Sequence, residues 1–278
     1  MLTRIVTAVV GGVALLWLLL YSPFTSIATV ALLHAMAVYE YARLEPRMSR
    51  YVVVLYVFLG TAVITLSSLA LMKVLAAEIV PALAVALAII VASSDLFLYD
   101  RTGDAGRYGM LSRGVLLITL PFCFVAPISH WLDGFPYLLL LIGASFGCDV
   151  GGIMVGRFSG RRKLATRLSP KKTWEGLIGG MLAAAACWMV TVSLWTPNAN
   201  IGGVQFADLS SGMQLTLAAL GGMVTALFGI AGDLTFSLLK RQHGIKDYGT
   251  LLPGHGGILD RFDALLFCAP LVYLVCLL

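Results

Sequence analysis

The sequence has 278 residues, of which 59% are hydrophobic and 12% are charged, with a formal net charge of +5. Soluble domains carry roughly 25% charged residues, so this composition excludes an ordinary soluble domain and indicates an integral membrane protein. The net positive charge does not indicate nucleic-acid binding, because in a membrane protein the distribution of charge matters more than its sum. The five cysteines lie in apolar stretches without a CxxC pair, so neither disulfides nor a zinc site is expected.

Nine apolar segments are predicted to cross a bilayer as helices, since each is near the ~20 residues that a span requires. They cover residues 5–21, 24–41, 52–72, 79–98, 114–131, 136–156, 177–196, 213–232 and 264–278. The predicted fold class is therefore all-α, a polytopic membrane protein. No low-complexity linker divides the chain, so we expect one membrane domain over residues 1–278, with N-terminal helices in 1–131 and the catalytic half in 132–278.

The positive charges alternate between successive loops. All of the 19 Lys and Arg except Arg4 and Lys73 fall in the loops after the second, fourth, sixth and eighth segments. Because cytoplasmic loops are enriched in Lys and Arg, this pattern predicts that these loops face the cytoplasm and that both termini lie outside the inner (cytoplasmic) membrane. A cleaved signal sequence is the alternative for the first segment, but no small-x-small cleavage site follows it, so a retained helix is favoured.

Four aspartates are predicted to lie at one depth, close to the cytoplasmic surface. Asp149 falls inside the sixth segment, Asp233 lies at the end of the eighth, and Asp260 and Asp263 open the ninth. A carboxylate at membrane depth is normally paired or liganded, so either ion pairs with Lys and Arg or a metal site would account for them. Mg²⁺ takes one or two carboxylates plus phosphate oxygens and water, and Asp233 and Asp260 come from different helices, as a bridging metal requires.

Residues 237–263 concentrate charge between the last two apolar segments, with four cations, three carboxylates, two histidines and a turn at residues 253–257. We interpret this stretch as the catalytic loop of a membrane enzyme that handles a nucleotide, because cations suit phosphate and carboxylates suit a divalent metal. The turn precedes a helix and exposes amide donors, an arrangement that favours anion binding. The candidate catalytic groups of this stretch, besides its aspartate Asp260, are Lys240, Arg241, Lys246, Asp247 and Arg261. The candidate substrate-binding groups are Ser237, His255, Gly256 and Gly257.

The loop between the sixth and seventh segments is the second basic stretch. A topology anchor or an anionic-lipid site would explain its many cations. Residues 169–176 are more specific: after Ser169, Pro170 fixes a turn, and Lys171 and Lys172 follow. Two lysines beside a carboxylate cluster favour a triphosphate clamp, since cations stabilise transferring phosphoryl groups.

These residues carry a family resemblance. Residues 237–263 resemble the signature of the phosphatidate cytidylyltransferases, also called CDP-diacylglycerol synthases, at more than ten positions, which makes chance agreement improbable. The matching positions are Ser237, Lys240, Arg241, Lys246, Asp247, residues 253–257, Asp260, Arg261 and Asp263. The resemblance extends upstream through Asp233 and residues 169–176, whereas the first 130 residues agree only in being apolar.

The resemblance implies cytidylyl transfer from CTP to phosphatidic acid, giving CDP-diacylglycerol and pyrophosphate for phospholipid synthesis. It implies that Mg²⁺ is required, that Asp233 and Asp260 hold the metal, and that K⁺ can accompany it; homodimers also occur among such enzymes. Asp149 and Asp263 are further candidate ligands. In relatives a hydroxyl residue and then Ala-Tyr follow the aspartate that matches Asp149, whereas Val150, Gly152 and Ile153 stand here.

Two alternative functions remain open. A CTP-dependent polyprenol or phytol kinase would transfer the γ-phosphate instead of the cytidylyl group. A secondary transporter would use intramembrane acids to bind coupling ions, but transporters place such groups near the midplane and often contain repeats, neither of which the sequence predicts. A CDP-alcohol phosphotransferase is disfavoured because its DGxxAR run is absent.

Overall fold

The computed structural model describes residues 2–45, 49–71, 109–130, 134–195, 200–201, 204–249 and 256–277. The helices are α1 (Leu2–Tyr21), α2 (Pro23–Ala42), α3 (Arg50–Leu71), α4 (Met110–Gly114), α5 (Leu120–His130), α6 (Phe135–Ser159), α7 (Trp174–Leu194), α8 (Ser211–Gln242) and α9 (Leu259–Leu277). A π-helical turn, Val115–Thr119, joins α4 to α5, and a 3₁₀ turn, Phe206–Asp208, precedes α8. Two short antiparallel hairpins pair β1 (Lys163–Ala165) with β2 (Ser169–Thr173) and β3 (Asn200–Ile201) with β4 (Val204–Gln205).

The helical membrane class is confirmed. Among the described residues, five helices are long and apolar enough to cross a membrane, and they cover Arg50–Ala70, Ser112–Ser129, Phe135–Ser159, Trp174–Leu194 and Ser211–Gln242. A shorter apolar helix covers Val10–Tyr21. The predicted fourth span, residues 79–98, lies outside the described residues, so the count of nine spans stays a prediction. The two hairpins were not predicted.

The prediction for the eighth segment was wrong at its end, because α8 continues past residue 232 to Gln242. The helix is closed by a Schellman motif: Ile245 N donates to Lys240 O at 3.0 Å, and Gly244 N donates to Arg241 O at 3.1 Å. Gly244 takes the left-handed conformation that this cap requires, with φ of +68°. The first part of the predicted catalytic loop is therefore helix, and only residues 243–258 connect α8 to α9.

The chain forms two compact units. The first comprises Met1–His130 with Asp247–Asp260, and the second comprises Trp131–Lys246 with Arg261–Leu278. In the first unit, buried polar pairs join the helices: Ser26 Oγ lies 2.7 Å from Ser129 Oγ, and His34 Nε2 lies 3.0 Å from Thr119 Oγ1 in the π-helical turn. Such pairs commonly link helices in membrane proteins, where an unpaired polar group is costly. The single-domain prediction stays a prediction.

In the second unit, α6, α7 and α8 pack through small residues. A Cβ on Gly151 would lie 2.6 Å from the Gly179 carbonyl oxygen, and one on Gly222 would lie 2.8 Å from the Ala184 carbonyl oxygen. Trp188 Nε1 donates to the Leu140 carbonyl at 2.8 Å across the same bundle. Small residues let the backbones approach closely. This packing fixes the helices that carry the polar side chains described next.

Candidate active site

Asp233 lies in the C-terminal third of α8 and is bound on both carboxylate oxygens. Its Oδ2 forms an ion pair with Lys172 Nζ, and its Oδ1 accepts a hydrogen bond from Ser237 Oγ at 3.2 Å. Ser237 reaches Asp233 because α8 continues through both residues, which places side chains four apart on one face. The contact between Ser237 and Asp233 therefore depends on the continuation of α8 past residue 232.

Lys172 is presented by the first hairpin, which is tied to the start of α7. The Thr173 side chain caps α7 by accepting from Gly176 N at 3.1 Å. Glu175 Oε2 accepts from the backbone N–H groups of Arg161 and Arg162 at 3.1 and 3.2 Å. The hairpin therefore has two side-chain anchors next to Lys172, and the sequence analysis had assigned neither.

Neighbouring residues of a strand face opposite sides, so Lys171 and Lys172 do not form a pair on one face. Lys172 is half-buried against Asp233, whereas Lys171 is exposed, and Ser169 is half-buried at the start of the same strand. Of the two predicted clamp lysines, the structure brings only Lys172 to the carboxylate.

Helix α9 passes close to Asp233 at Gly232. A Cβ on Gly232 would lie 2.6 Å from the backbone carbonyl oxygen of Asp263 and 2.8 Å from the Phe267 ring. Asp263 is only 9% exposed, and its Oδ1 accepts from Ala264 N at 2.8 Å. Gly232 thus allows the close crossing that places the two acid-bearing segments side by side.

Three of the four predicted acids share one electrostatic environment. The charge of Asp263 interacts with those of Asp233, Asp149 and Lys240, and the charge of Asp149 interacts with those of Asp233, Lys172 and Arg261. Asp149 lies on an exposed face of α6, whereas Lys240 is 9% exposed. The structure therefore gathers acids from α6, α8 and α9 with three cations among them.

The donor chemistry fits a magnesium ion held together with a nucleotide. Within the described ranges, no group of three or more His, Cys, Asp or Glu side chains is arranged to hold a metal by itself. Mg²⁺ at phosphoryl-transfer sites needs only one or two carboxylates, because substrate phosphates and water complete its shell. Asp233 supplies carboxylate oxygens and Ser237 a hydroxyl, which are the hard oxygen donors that this ion prefers.

Asp260 begins α9 in the first unit and is bound by backbone amides. Its Oδ2 accepts from Tyr248 N at 2.8 Å and from Gly257 N at 3.0 Å. Gly256 has φ of +85°, and a Cβ there would lie 3.2 Å from the same oxygen. The predicted turn is described from Gly256 onward, whereas Pro253 to His255 lie outside the described residues.

Glu40 is the residue that the sequence analysis missed. It lies near the end of α2, is 1% exposed, and accepts from Ile258 N at 3.0 Å and from Leu259 N at 2.9 Å. An acidic residue inside a predicted apolar segment is costly unless it is paired, and that rule would have singled out Glu40.

The remaining predicted cations lie around the end of α8 and the start of α9. Arg241 is exposed, and its Nη1 donates to the Ile245 carbonyl at 3.2 Å, so it also supports the helix cap. Lys246 and Asp247 are exposed in the connection between the helices. Arg261 is exposed on the first turn of α9. The Nδ1 atom of His243 lies 2.9 Å from the Leu239 carbonyl oxygen.

The chain is similar to one protein family over nearly its whole length and to individual known proteins over part of it. A model described as the cytidylyltransferase family matches residues 2–278. The phosphatidate cytidylyltransferase of Pseudomonas aeruginosa is 33% identical over 165 residues, which cover 59% of this chain and 56% of that protein. The uncharacterized protein YnbB of Escherichia coli is 30% identical over 190 residues, 66% of this chain and 59% of that protein. The phosphatidate cytidylyltransferase of Rickettsia bellii is 32% identical over 182 residues, 64% of this chain and 72% of that protein. The matched regions thus cover less than two thirds of the Pseudomonas aeruginosa and Escherichia coli proteins.

Proposed function

The chain belongs to the cytidylyltransferase family, and we propose that it transfers the cytidylyl group of CTP to phosphatidic acid, giving CDP-diacylglycerol and pyrophosphate. The observation that carries this proposal is Asp233, bound by Lys172 and Ser237 beside the acids Asp149 and Asp263. A mixed cluster of carboxylates and cations on apolar helices suits a reaction between a charged nucleotide and a lipid phosphate.

In the proposed reaction, an oxygen of the phosphatidate phosphate attacks the α-phosphorus of CTP. A bond forms between that oxygen and the α-phosphorus, the bond to the bridging oxygen breaks, and pyrophosphate leaves with the bridging oxygen. The attacking phosphate is already ionised, so no strong general base is needed. The work of the protein is to place two anions together and to neutralise the charge on the leaving group.

The cations of the cluster are suited to that work. Lys172 forms an ion pair with Asp233. In the proposed reaction its ammonium group turns to a phosphate oxygen when substrate binds. Lys240 brings a buried positive charge near Asp263. The exposed Arg261 brings a positive charge near Asp149. Exposed cations complete the proposed phosphate-binding set: Lys171, Arg241 and Lys246.

Bound Mg²⁺ would reduce the repulsion between the two substrates and neutralise charge on pyrophosphate as it leaves. Asp233 with Ser237 is the group of this chain that would hold the ion, with Asp149 and Asp263 as neighbouring carboxylates. Three predictions from the sequence remain: Asp260 as a second ligand, the accompanying K⁺, and the homodimer. In the proposed reaction Asp247 would orient a lysine or a metal-bound water.

We also propose that the protein crosses the inner membrane nine times, with its termini outside and the site facing the cytoplasm. The alternation of Lys and Arg between loops supports this orientation. It would bring CTP from the cytoplasm to the interface where the lipid phosphate lies.

Replacing Asp233 with Asn tests the proposed function at the residue that carries it. The amide keeps the size of the side chain but removes the charge that holds Lys172, and we expect kcat to fall by about 10²-fold or more. The assay measures CTP-dependent conversion of phosphatidate by the full chain in detergent. Asp208→Asn, in the exposed 3₁₀ turn before α8, is the matched control and should retain activity. Near-normal turnover of the Asp233 variant would remove this site from the reaction.

A further inference from the structure

Glu40 ties the start of α9 to α2 with both of its carboxylate oxygens. Oε1 accepts from Ile258 N at 3.0 Å, Oε2 accepts from Leu259 N at 2.9 Å, and the side chain is 1% exposed. The first N–H groups of a helix have no partner within that helix, so Glu40 satisfies two donors that α9 would otherwise leave unpaired. Hydrogen bonds to an ionised carboxylate are strong and directional, and two in parallel fix an orientation as well as a distance.

Two glycines, Gly249 and Gly257, approach the Glu40 carboxylate closely. A Cβ on Gly249 would lie 2.6 Å from Glu40 Oε1, and a Cβ on Gly257 would lie 2.6 Å from the same oxygen. Both positions therefore depend on the absence of a side chain. Gly249 and Gly257 therefore both lie against the Glu40 carboxylate.

The turn that Glu40 binds also fixes Asp260. Gly257 N donates to Asp260 Oδ2 at 3.0 Å, and the next two backbone N–H groups along the chain, those of Ile258 and Leu259, donate to Glu40. Tyr248 N is the second donor to Asp260 Oδ2, at 2.8 Å, and Tyr248 is 5% exposed. Three consecutive backbone N–H groups thus donate to two different carboxylates. A movement of the turn relative to Glu40 would therefore also move Gly257 N, which donates to Asp260.

We propose that Glu40 is a positioning residue that holds the anchored turn, residues 256–260, in the conformation that sets the direction of the Asp260 carboxylate. The effect of Glu40 on catalysis rests on the proposed function, whereas its role in holding the turn follows from the hydrogen bonds alone. Glu40 and Asp260 are like charges that interact, and Arg43 on the same helix end partly offsets this repulsion. Burying the Glu40 carboxylate near a second acid costs free energy, and a role in orienting the turn would account for that cost.

Two variants disturb the contact between Glu40 and the turn, one by changing Glu40 and the other by changing a glycine that lies against it. Glu40→Gln keeps the shape of the side chain but replaces one acceptor oxygen with an NH₂ group that faces a backbone donor. Gly249→Ala leaves the carboxylate in place and pushes it with a methyl group. Ser26→Ala is the matched control, because it also removes a buried hydrogen bond of α2, the 2.7 Å contact to Ser129, but away from the anchored turn.

Hydrogen exchange measured by mass spectrometry and steady-state kinetics of the full chain in detergent test the proposal together. In both anchor variants, we expect amides of the anchored turn to exchange about tenfold faster or more, while peptides from α6 to α8 stay unchanged. We expect kcat to fall about tenfold or more, with the KM for phosphatidate changed by less than about threefold. Ser26→Ala should alter neither the exchange of the turn nor kcat.

Unchanged exchange of the turn in the anchor variants would overturn the proposal. Faster exchange with an unchanged kcat would also overturn it, because the contact would then be structural only. If Glu40→Gln does not fold, Gly249→Ala decides alone by the same two measurements. A wild-type chain without cytidylyl transfer would refute the proposed function and the catalytic role of Glu40 with it, while the exchange data would still decide whether Glu40 anchors the turn.

Discussion

At the scale of single residues, Asp233 combines a local contact with a distant one. Ser237 is one helical turn away on α8, whereas Lys172 comes from a hairpin that precedes α7. The local contact was predictable from spacing, because residues four apart share a helix face. The distant one was not, because two adjacent lysines give no indication of which one faces the carboxylate. Strand geometry makes that choice by turning Lys171 outward.

Lys172→Met tests the contribution of this cation. The thioether side chain keeps similar bulk but leaves Asp233 without its ion pair and removes a positive charge from the proposed phosphate site. We expect kcat/KM for CTP to fall by about 10²-fold or more, the scale seen when one stabilising donor is removed. Arg167→Met, in the exposed turn of the same hairpin, provides the comparison. Equal and small effects of both substitutions would show that the contact of Lys172 with Asp233 contributes nothing specific to activity.

At the scale of elements, hydropathy located helices more reliably than it located their ends. The predicted segment 213–232 lies within α8, but the helix continues to Gln242, because a cap rather than a change in hydropathy ends it. The contact between Glu40 and Leu259, which is 219 residues later, fixes the start of α9. No local pattern encodes such a contact, although the cost of a buried acid in α2 was visible in the sequence.

Gly151→Ala tests whether the close approach of α6 and α7 supports the second unit. The added methyl group would meet the Ala183 side chain and the Gly179 carbonyl, and overpacking of this kind costs about 1–3 kcal/mol. We expect a lower melting temperature in detergent. Gly212→Ala, in the first turn of α8, meets no atom within 4 Å and should not lower the melting temperature. Similar melting temperatures for the two variants would contradict the role assigned to this packing.

At the scale of the whole molecule, composition and charge alternation predicted a helical membrane protein, and its helical content and apolar helices confirm that class. The position of Asp149 inside its helix agrees with the prediction, whereas Asp233 lies inside α8 rather than at its end. Their convergence with Asp263 depends on Gly232, where the absence of a side chain lets α9 cross. Glycines are common in apolar segments, so Gly232 by itself does not predict that two helices cross there.

The central claim is tested most directly by following the phosphates of CTP. The full chain, purified in detergent with Mg²⁺ and phosphatidate, is supplied with CTP labelled at either the α- or the γ-phosphate. Label from the α-phosphate is expected in the lipid product, with one pyrophosphate released for each lipid converted, and γ-label is expected only in pyrophosphate. Label from the γ-phosphate in a lipid product would indicate a kinase, and ion-coupled flux in proteoliposomes without CTP consumption would indicate a transporter; either result would contradict cytidylyl transfer.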